Sequence, residues 1–132
     1  MSKTKTGALI VIAKSTDLGM ITSTGDEINA KISNRLIENI FFKNSPLHDG
    51  AMIIEKNVIK AARCVLPSTE NKQFPATLGL RHRAAVGITE STDAITISVS
   101  EQTGDISFAK EGKLERKISS DRLRDRLLKE LN

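Results

Sequence analysis

A chain of 132 residues with 39% hydrophobic and 27% charged side chains is long enough for one domain with a real core and too apolar for a disordered one. It has no tryptophan or tyrosine and four phenylalanines, so it lacks the aromatic platform on which single-stranded nucleic acid stacks. The net charge of +4, from 20 basic and 16 acidic residues, lies largely in residues 116–129, and no nucleic-acid partner is expected.

The chain begins its regular structure with Gly7–Lys14, a continuous Ile- and Val-rich run that reads as a strand covered on both faces. A turn at 15–19, a weak strand near Met20–Thr22 and a loop through Gly25 and Asp26 follow. Ile32–Lys43 reads as a helix with Ser33 as N-cap and Leu36, Ile37, Ile40 and Phe41 on one face. Ala51–Lys56 and Val58–Leu66 form a hairpin about a tight Lys56-Asn57 turn. Residues 67–75 read as a polar connection, exposed and mobile.

Arg81–Glu90 is expected to be a helix whose Ala84, Ala85 and Ile88 face inward. Ala94–Ser100 alternates, with Ile95, Ile97 and Val99 on one face and Thr96, Ser98 and Ser100 on a polar face. Ile106–Ala109 is expected as the last strand. A closing helix follows, capped by Ser119 or Ser120, with Leu123, Leu127, Leu128 and Leu131 as its stripe and an Asp125–Lys129 pair along it. Strands interleaved with three helices and one hairpin predict an α/β fold: a single domain spanning residues 1–132, with a central twisted mixed β-sheet flanked by helices. Cys64 is the only cysteine, which excludes a disulfide framework and a multi-cysteine metal site. It reads as a small core residue in a chain suited to a reducing compartment. The longest apolar run, Ala8–Ala13, is too short to cross a bilayer.

Two stretches carry candidate chemistry. Asn44–Ala51 reads Asn-Ser-Pro-Leu-His-Asp-Gly-Ala: Pro46 ends the helix, Gly50 permits a conformation or close approach that a Cβ would block, and His48 and Asp49 stand where the chain enters the sheet. The Asp49 carboxylate can hold a divalent cation beside a phosphate, or simply cap a turn. Leu78–Ala85 reads Leu-Gly-Leu-Arg-His-Arg-Ala-Ala. Two guanidinium groups, Arg81 and Arg83, at a helix N-terminus suit a polyphosphate.

Asp49-Gly50-Ala51 followed about thirty residues later by Arg81-His82-Arg83, with the flanks Gly7–Ile12, Pro46–Ala51 and Val99–Gly104, resembles the diadenylate cyclase domain, most closely its membrane-anchored branch. The resemblance runs from about Thr6 to Lys113. It implies condensation of two ATP into cyclic di-AMP with release of two pyrophosphates, in a homodimer whose domains meet face to face. It implies Mg²⁺ or Mn²⁺ held by Asp49, with Glu101 a second ligand or else a solvent-exposed turn residue. His48 is either a third ligand, favouring Mn²⁺, or a hydrogen-bonded scaffold.

Arg81 and Arg83 would hold the triphosphate beside His82, which completes the catalytic triplet or orients its loop. Gly50, Ala51, Leu66, Leu80, Ser100 and Gln102 would line the nucleotide, although Leu66 reads equally as core. Many family members carry threonine at the position of Leu80. A hydroxyl contact is therefore missing, which weakens activity or is replaced by apolar contact. The resemblance further implies a cytoplasmic domain of a parent protein anchored in the membrane through a segment absent from this chain. The rival readings are a catalytically inactive ATP or cyclic di-AMP sensor, a metal-dependent phosphohydrolase short of ligands, and a nucleic-acid-binding domain using the basic C-terminal helix.

Overall fold

The structure is a computed structural model and describes residues 7–41, 50–70, 79–100 and 102–131; of Leu80 and Leu131 it describes the backbone alone. Strand β1 (Ala8–Ile12) is followed by α1 (Gly19–Thr22), β2 (Asp26–Lys31), α2 (Asn34–Phe41), β3 (Ala51–Glu55) and β4 (Val58–Cys64). Then come α3 (Leu80–Ser91), β5 (Ile95–Val99), β6 (Ile106–Lys110), β7 (Lys113–Ile118) and α4 (Ser120–Leu131). The seven strands form one sheet in the order β2-β4-β3-β1-β5-β6-β7. Only β1 and β3 run parallel; the other neighbours are antiparallel. The expected single α/β domain with a mixed sheet is what the chain forms.

The strands alternate between two covered faces. Leu9, Val11, Ala51, Ile53, Ala61 and Ala109 pack with Ala85, Val86 and Ile88 of α3. On the opposite face, Ala8, Met52, Ile59 and Val99 pack with Ile40 and Phe41 of α2, and Ile97, Phe108 and Ile118 pack with Leu123 and Leu127 of α4. The polar side of β5 is as buried as its apolar side, because it lies beneath α3: the Thr96 hydroxyl donates to the Ala85 carbonyl at 3.0 Å.

Ser33 caps α2 as expected, its Oγ accepting from the Leu36 amide, and Ser119 caps α4 by accepting from the Arg122 amide. Lys56 and Asn57 both have positive φ, the backbone of a two-residue hairpin turn with the right twist for its strands. Glu111 and Gly112 repeat this conformation between β6 and β7, so a further strand follows the one expected to be last. Lys113–Ile118 is rich in charge because β7 is an edge strand, and charge there discourages pairing with another chain. The polar strand β2, which begins at Asp26 in the expected loop and runs on through residues given no element on sequence, is the opposite edge.

The expected strand at Met20–Thr22 is the short helix α1. Asp17 accepts from the Gly19 amide there, and the Thr22, Ser23 and Thr24 hydroxyls bond carbonyls three residues back, closing the turn locally. In α4, Leu128 is 55% exposed and stands off the packed stripe. The ion pairs of α4 reach Glu115 on β7 from Arg122 and Arg126, and run from Glu130 to Lys14 and Lys110, in place of the expected Asp125–Lys129 pair. The start of the connection after β4 is exposed at Pro67, Ser68 and Glu70, as expected, but it is tied to α3 through the buried Thr69. The Thr69 amide donates to the Arg83 carbonyl, the Thr69 hydroxyl donates to Glu90 at 2.8 Å, and the Pro67–Ser68 backbone lies against Gly87 of α3.

Three carboxylates tie the fold together, and each is held below its usual range. Asp93 accepts from Ser15 and Thr16, Glu115 from Arg122 and Arg126, and Glu130 from Lys110 and Lys14. His82 is also shifted down, by burial and then by the Arg116 and Arg81 charges. The unfolded chain therefore binds protons more readily than the folded one at all four groups, so acid favours unfolding. Melting temperature measured against pH should begin to fall below about pH 6.5 through His82 and fall further below about pH 4 through the carboxylates. A melting temperature that stayed flat or rose between pH 7 and 3 would contradict this.

Candidate functional site

The sheet topology brings Gly50–Ala51, the start of α3 and the end of β5 to one end. β1 and β3 are parallel with Ile10 opposite Met52, so their starts, Gly7–Ala8 and Gly50–Ala51, lie side by side. β5 and β4 run the other way: Val99 pairs with Ala8 and Cys64 with Ala51, so Ser100 and the Cys64–Leu66 segment finish at the same end. Helix α3 begins there too, with the Arg81 guanidinium directly over Gly7. The ties of Asp93 to Ser15 and of Glu130 to Lys14 and Lys110 sit at the opposite end, beyond Ile12 and Ile95. One end of the sheet is fastened and the other presents the motifs.

Gly50 is required on two grounds. Its φ is +104°, and an added Cβ would fall 2.8 Å from the Arg63 carbonyl carbon and 2.9 Å from the Cys64 oxygen. Arg63, itself at positive φ, bulges β4 toward it. Ala51 is wholly buried behind it. Leu66, 8% exposed, packs in the α3-side cluster, in keeping with the core alternative of its two readings.

Gly79 stands at the N-cap of α3 without a side-chain cap, leaving the first-turn amides to other partners. Among the described residues, Arg81 has no acidic partner. Arg83 follows it in the first turn. His82 turns toward the sheet, its Nε2 3.4 Å from Ser107 Oγ on β6. At the end of β5, Ser100 Oγ accepts from the Gln102 and Thr103 amides and so shapes the loop to β6, with its own proton left to donate. Gln102 is exposed. Leu80 opens α3 by its backbone. His48, Asp49 and Glu101 lie outside the described residues, as chain neighbours of Gly50 and Ser100. Among the described residues, no group of three His, Cys, Asp or Glu side chains could hold a metal ion, and no helix is long and apolar enough to cross a membrane.

Three residues emerge from the tertiary structure alone. Arg116, placed outside the motifs on sequence, is brought by β7 close enough to depress the His82 proton affinity. Ser107 meets His82 from 25 residues away. Gly7 seats Arg81: an added Cβ would lie 2.6 Å from Nη1 and 2.9 Å from Cζ. Because the obstructed atoms end a flexible side chain, Gly7→Ala should leave the melting temperature nearly unchanged while displacing the guanidinium. If Arg81 holds a polyphosphate, as its place at a helix start leads one to expect, affinity for that ligand should drop by about tenfold to a hundredfold, the scale of an ångström-sized misplacement. Calorimetric titration with inorganic triphosphate beside thermal melting checks this; unaltered affinity in a folded variant would refute it.

Residues 1–114 match the family described as DisA bacterial checkpoint controller nucleotide-binding, abbreviated DAC. The chain is 49% identical over 127 residues to the cyclic di-AMP synthase CdaA of Bacillus subtilis, covering 96% of this chain and 46% of that protein. It is 50% identical over 131 residues to a diadenylate cyclase of Listeria monocytogenes, covering 99% and 48%. The chain thus spans about half the length of the curated relatives it matches. Its fold is similar to a cysteine double mutant of DacA from Staphylococcus aureus, with a TM-score of 0.96 and 46% identity, over 98% of this chain and 87% of that one. A Bacillus cereus protein described as a hypothetical membrane spanning protein follows at TM-score 0.85 and 42% identity, over 89% and 58%.

Proposed function

The chain belongs to the DAC family of nucleotide-binding domains, and from that premise we propose that it is the catalytic domain of a diadenylate cyclase, joining two ATP into cyclic di-AMP. The observation that carries this reading is the Arg81 guanidinium, unpaired among the described residues, standing over Gly7 where β1 and β3 begin and β4 and β5 end. A cationic fork at the uncapped start of a helix, beside two glycine backbones, favours a nucleoside polyphosphate over a smaller anion.

The reaction is reciprocal. The 3′-oxygen of each ATP bonds to the α-phosphorus of the other, the bond from that phosphorus to the β-phosphate oxygen breaks, and two pyrophosphates leave with the hydroxyl protons released to solvent. Arg81 and Arg83 orient the β- and γ-phosphates and take up the charge that develops on pyrophosphate. Gly50 lets the nucleoside approach backbone, with Leu80 and Gln102 beside it and the Ser100 hydroxyl donating to the nucleotide, while Ala51 and Leu66 pack behind this surface in the core. His82 keeps the two arginines apart and in place.

A divalent cation suits this end of the sheet. Gly50 and Ser100 stand at this end on the two strands that pair with β1, and the ligands we assign, Asp49 and Glu101, are their chain neighbours. When bound there, with His48 available as a third donor, Mg²⁺ or Mn²⁺ would neutralise phosphate charge and make the 3′-hydroxyl more acidic. Each domain needs to bind one ATP, so two domains facing each other about a two-fold axis complete the reaction. The parent protein is anchored in the membrane by a segment outside this chain, a reading supported by the relatives' greater length and by the Bacillus cereus description.

The test is incubation with ATP and Mg²⁺ or Mn²⁺ over a range of protein concentrations, with products resolved by mass. Cyclic di-AMP rising faster than linearly with protein supports the cyclase and its paired site. ATP binding with no product at any concentration or metal would replace this reading by that of a nucleotide sensor.

A further inference from the structure

Beneath α3, strands β5 and β6 carry three buried hydroxyls on a face that is otherwise apolar, where Leu9, Val11 and Ala109 stand. Thr96 is accounted for by its bond to the Ala85 carbonyl. Ser98 and Ser107 face each other across the β5–β6 ladder, each 2% exposed. Among the described residues Ser98 Oγ has no hydrogen-bond partner, whereas Ser107 Oγ lies 3.4 Å from His82 Nε2. Packing α3 against the sheet needs neither serine, since alanine fills the equivalent place at residue 109. Of the two hydroxyls, only that of Ser107 has a functional side chain within reach, the His82 ring.

We propose that Ser107 is a positioning residue for the arginine pair: its hydroxyl holds the His82 imidazole against β6, which sets the rotation of the first turn of α3 and with it the directions of Arg81 and Arg83. Neighbouring residues on a helix stand about 100° apart, so a ring turned into the sheet sends the flanking arginines to either side of it. One of them, Arg81, comes to rest over Gly7. Burial, and then the charges of Arg116 and Arg81, lower the proton affinity of the ring and so favour its neutral form, which has one N–H and one lone pair with which to engage a hydroxyl. A third cation in that turn would have to be desolvated between two others; a neutral ring held by a neutral hydroxyl avoids this cost.

The inference rests on the cyclase reading for its functional arm and on spectroscopy for its structural one. The chain has two histidines, so ring ¹⁵N signals of the labelled 132-residue protein are assigned with a single His48→Gln variant. Ser107→Ala should shift the His82 ring nitrogens and the Arg81 Nε signal. Ser107→Thr, which keeps a hydroxyl, should restore them, and Ser98→Ala, the matched deletion across the ladder, should leave both in place. In the cyclase assay Ser107→Ala should lower kcat about tenfold with less change in KM for ATP, the pattern of lost alignment and not of lost binding. Ser98→Ala should match the parent protein.

Unmoved His82 and Arg81 signals in a folded Ser107→Ala variant overturn the proposal. So does an equal loss of turnover in Ser98→Ala and Ser107→Ala, which marks general packing. A parent protein that makes no product refutes the cyclase reading, and the ring and Nε signals then decide the Ser107 contact without it.

Discussion

Arg81→Ala is expected to slow cyclic di-AMP formation by about 10²- to 10³-fold, the range carried by one preorganised charge-stabilising donor. Two observations and the proposed reaction set that size. The guanidinium has no acidic partner among the described residues, so removing it strands no buried carboxylate, and the melting temperature should hold. Its resting place over Gly7 lies at the end of the sheet where four strand termini meet. On the proposed cyclase reading its charge would serve a leaving group that becomes more anionic as the reaction proceeds, so the loss should appear chiefly in kcat. Arg81→Lys keeps the charge and loses the planar fork, and should recover only part of the rate. Steady-state kinetics beside a melting curve make the test. A folded Arg81→Ala variant with near-parental turnover would remove Arg81 from the site.

Gly87→Ala should destabilise the domain by about 2 kcal/mol or more, against the sign that helix propensity alone predicts. In an exposed helix the change gains about 1 kcal/mol. Here the new Cβ would lie 2.0 Å from the Pro67 carbonyl oxygen and 2.8 Å from the Pro67 and Ser68 carbonyl carbons. Those are backbone atoms on a segment also bound to α3 through Thr69, so they cannot swing aside as a side-chain tip does. Overpacking costs about 1–3 kcal/mol where neighbours yield and more where they do not. The steric term therefore wins. A drop in melting temperature of roughly 5–10 °C is expected for a domain of this size, and a melting temperature equal to or above the parent's would show that residues 67–70 give way freely.

The DAC family and its motifs were legible because they are short and local. Asp49-Gly50-Ala51 and Arg81-His82-Arg83 could be read directly, and Gly50 was rightly singled out for its backbone. The buried strands were legible as well, since Ala8–Ile12 and Ile95–Val99 announce themselves by apolar runs and alternation. The polar edges were not. Asp26–Lys31 and Lys113–Ile118 lack the pattern of a half-buried strand, and they are strands because β4 and β6 offer them a ladder of unpaired backbone groups. Residues 20–22 failed for a related reason: hydroxyl-to-carbonyl bonds closed a turn that propensity assigned to a strand.

What the sequence alone determined is the chemistry on offer: a family, a pair of arginines about a histidine, a glycine that no other residue could replace, and a core of alternating apolar side chains. These follow from residue identity and near spacing, where the chain's own periodicity is the cause. The tertiary structure alone decided which groups meet. Gly7 lies under Arg81, Ser107 against His82, Arg116 beside the same ring and Pro67 against Gly87, all pairs brought together by the β1-β5-β6-β7 ladder and by α3 lying across it. Such contacts join positions tens of residues apart, and strand order and register, which no local pattern encodes, are what set them.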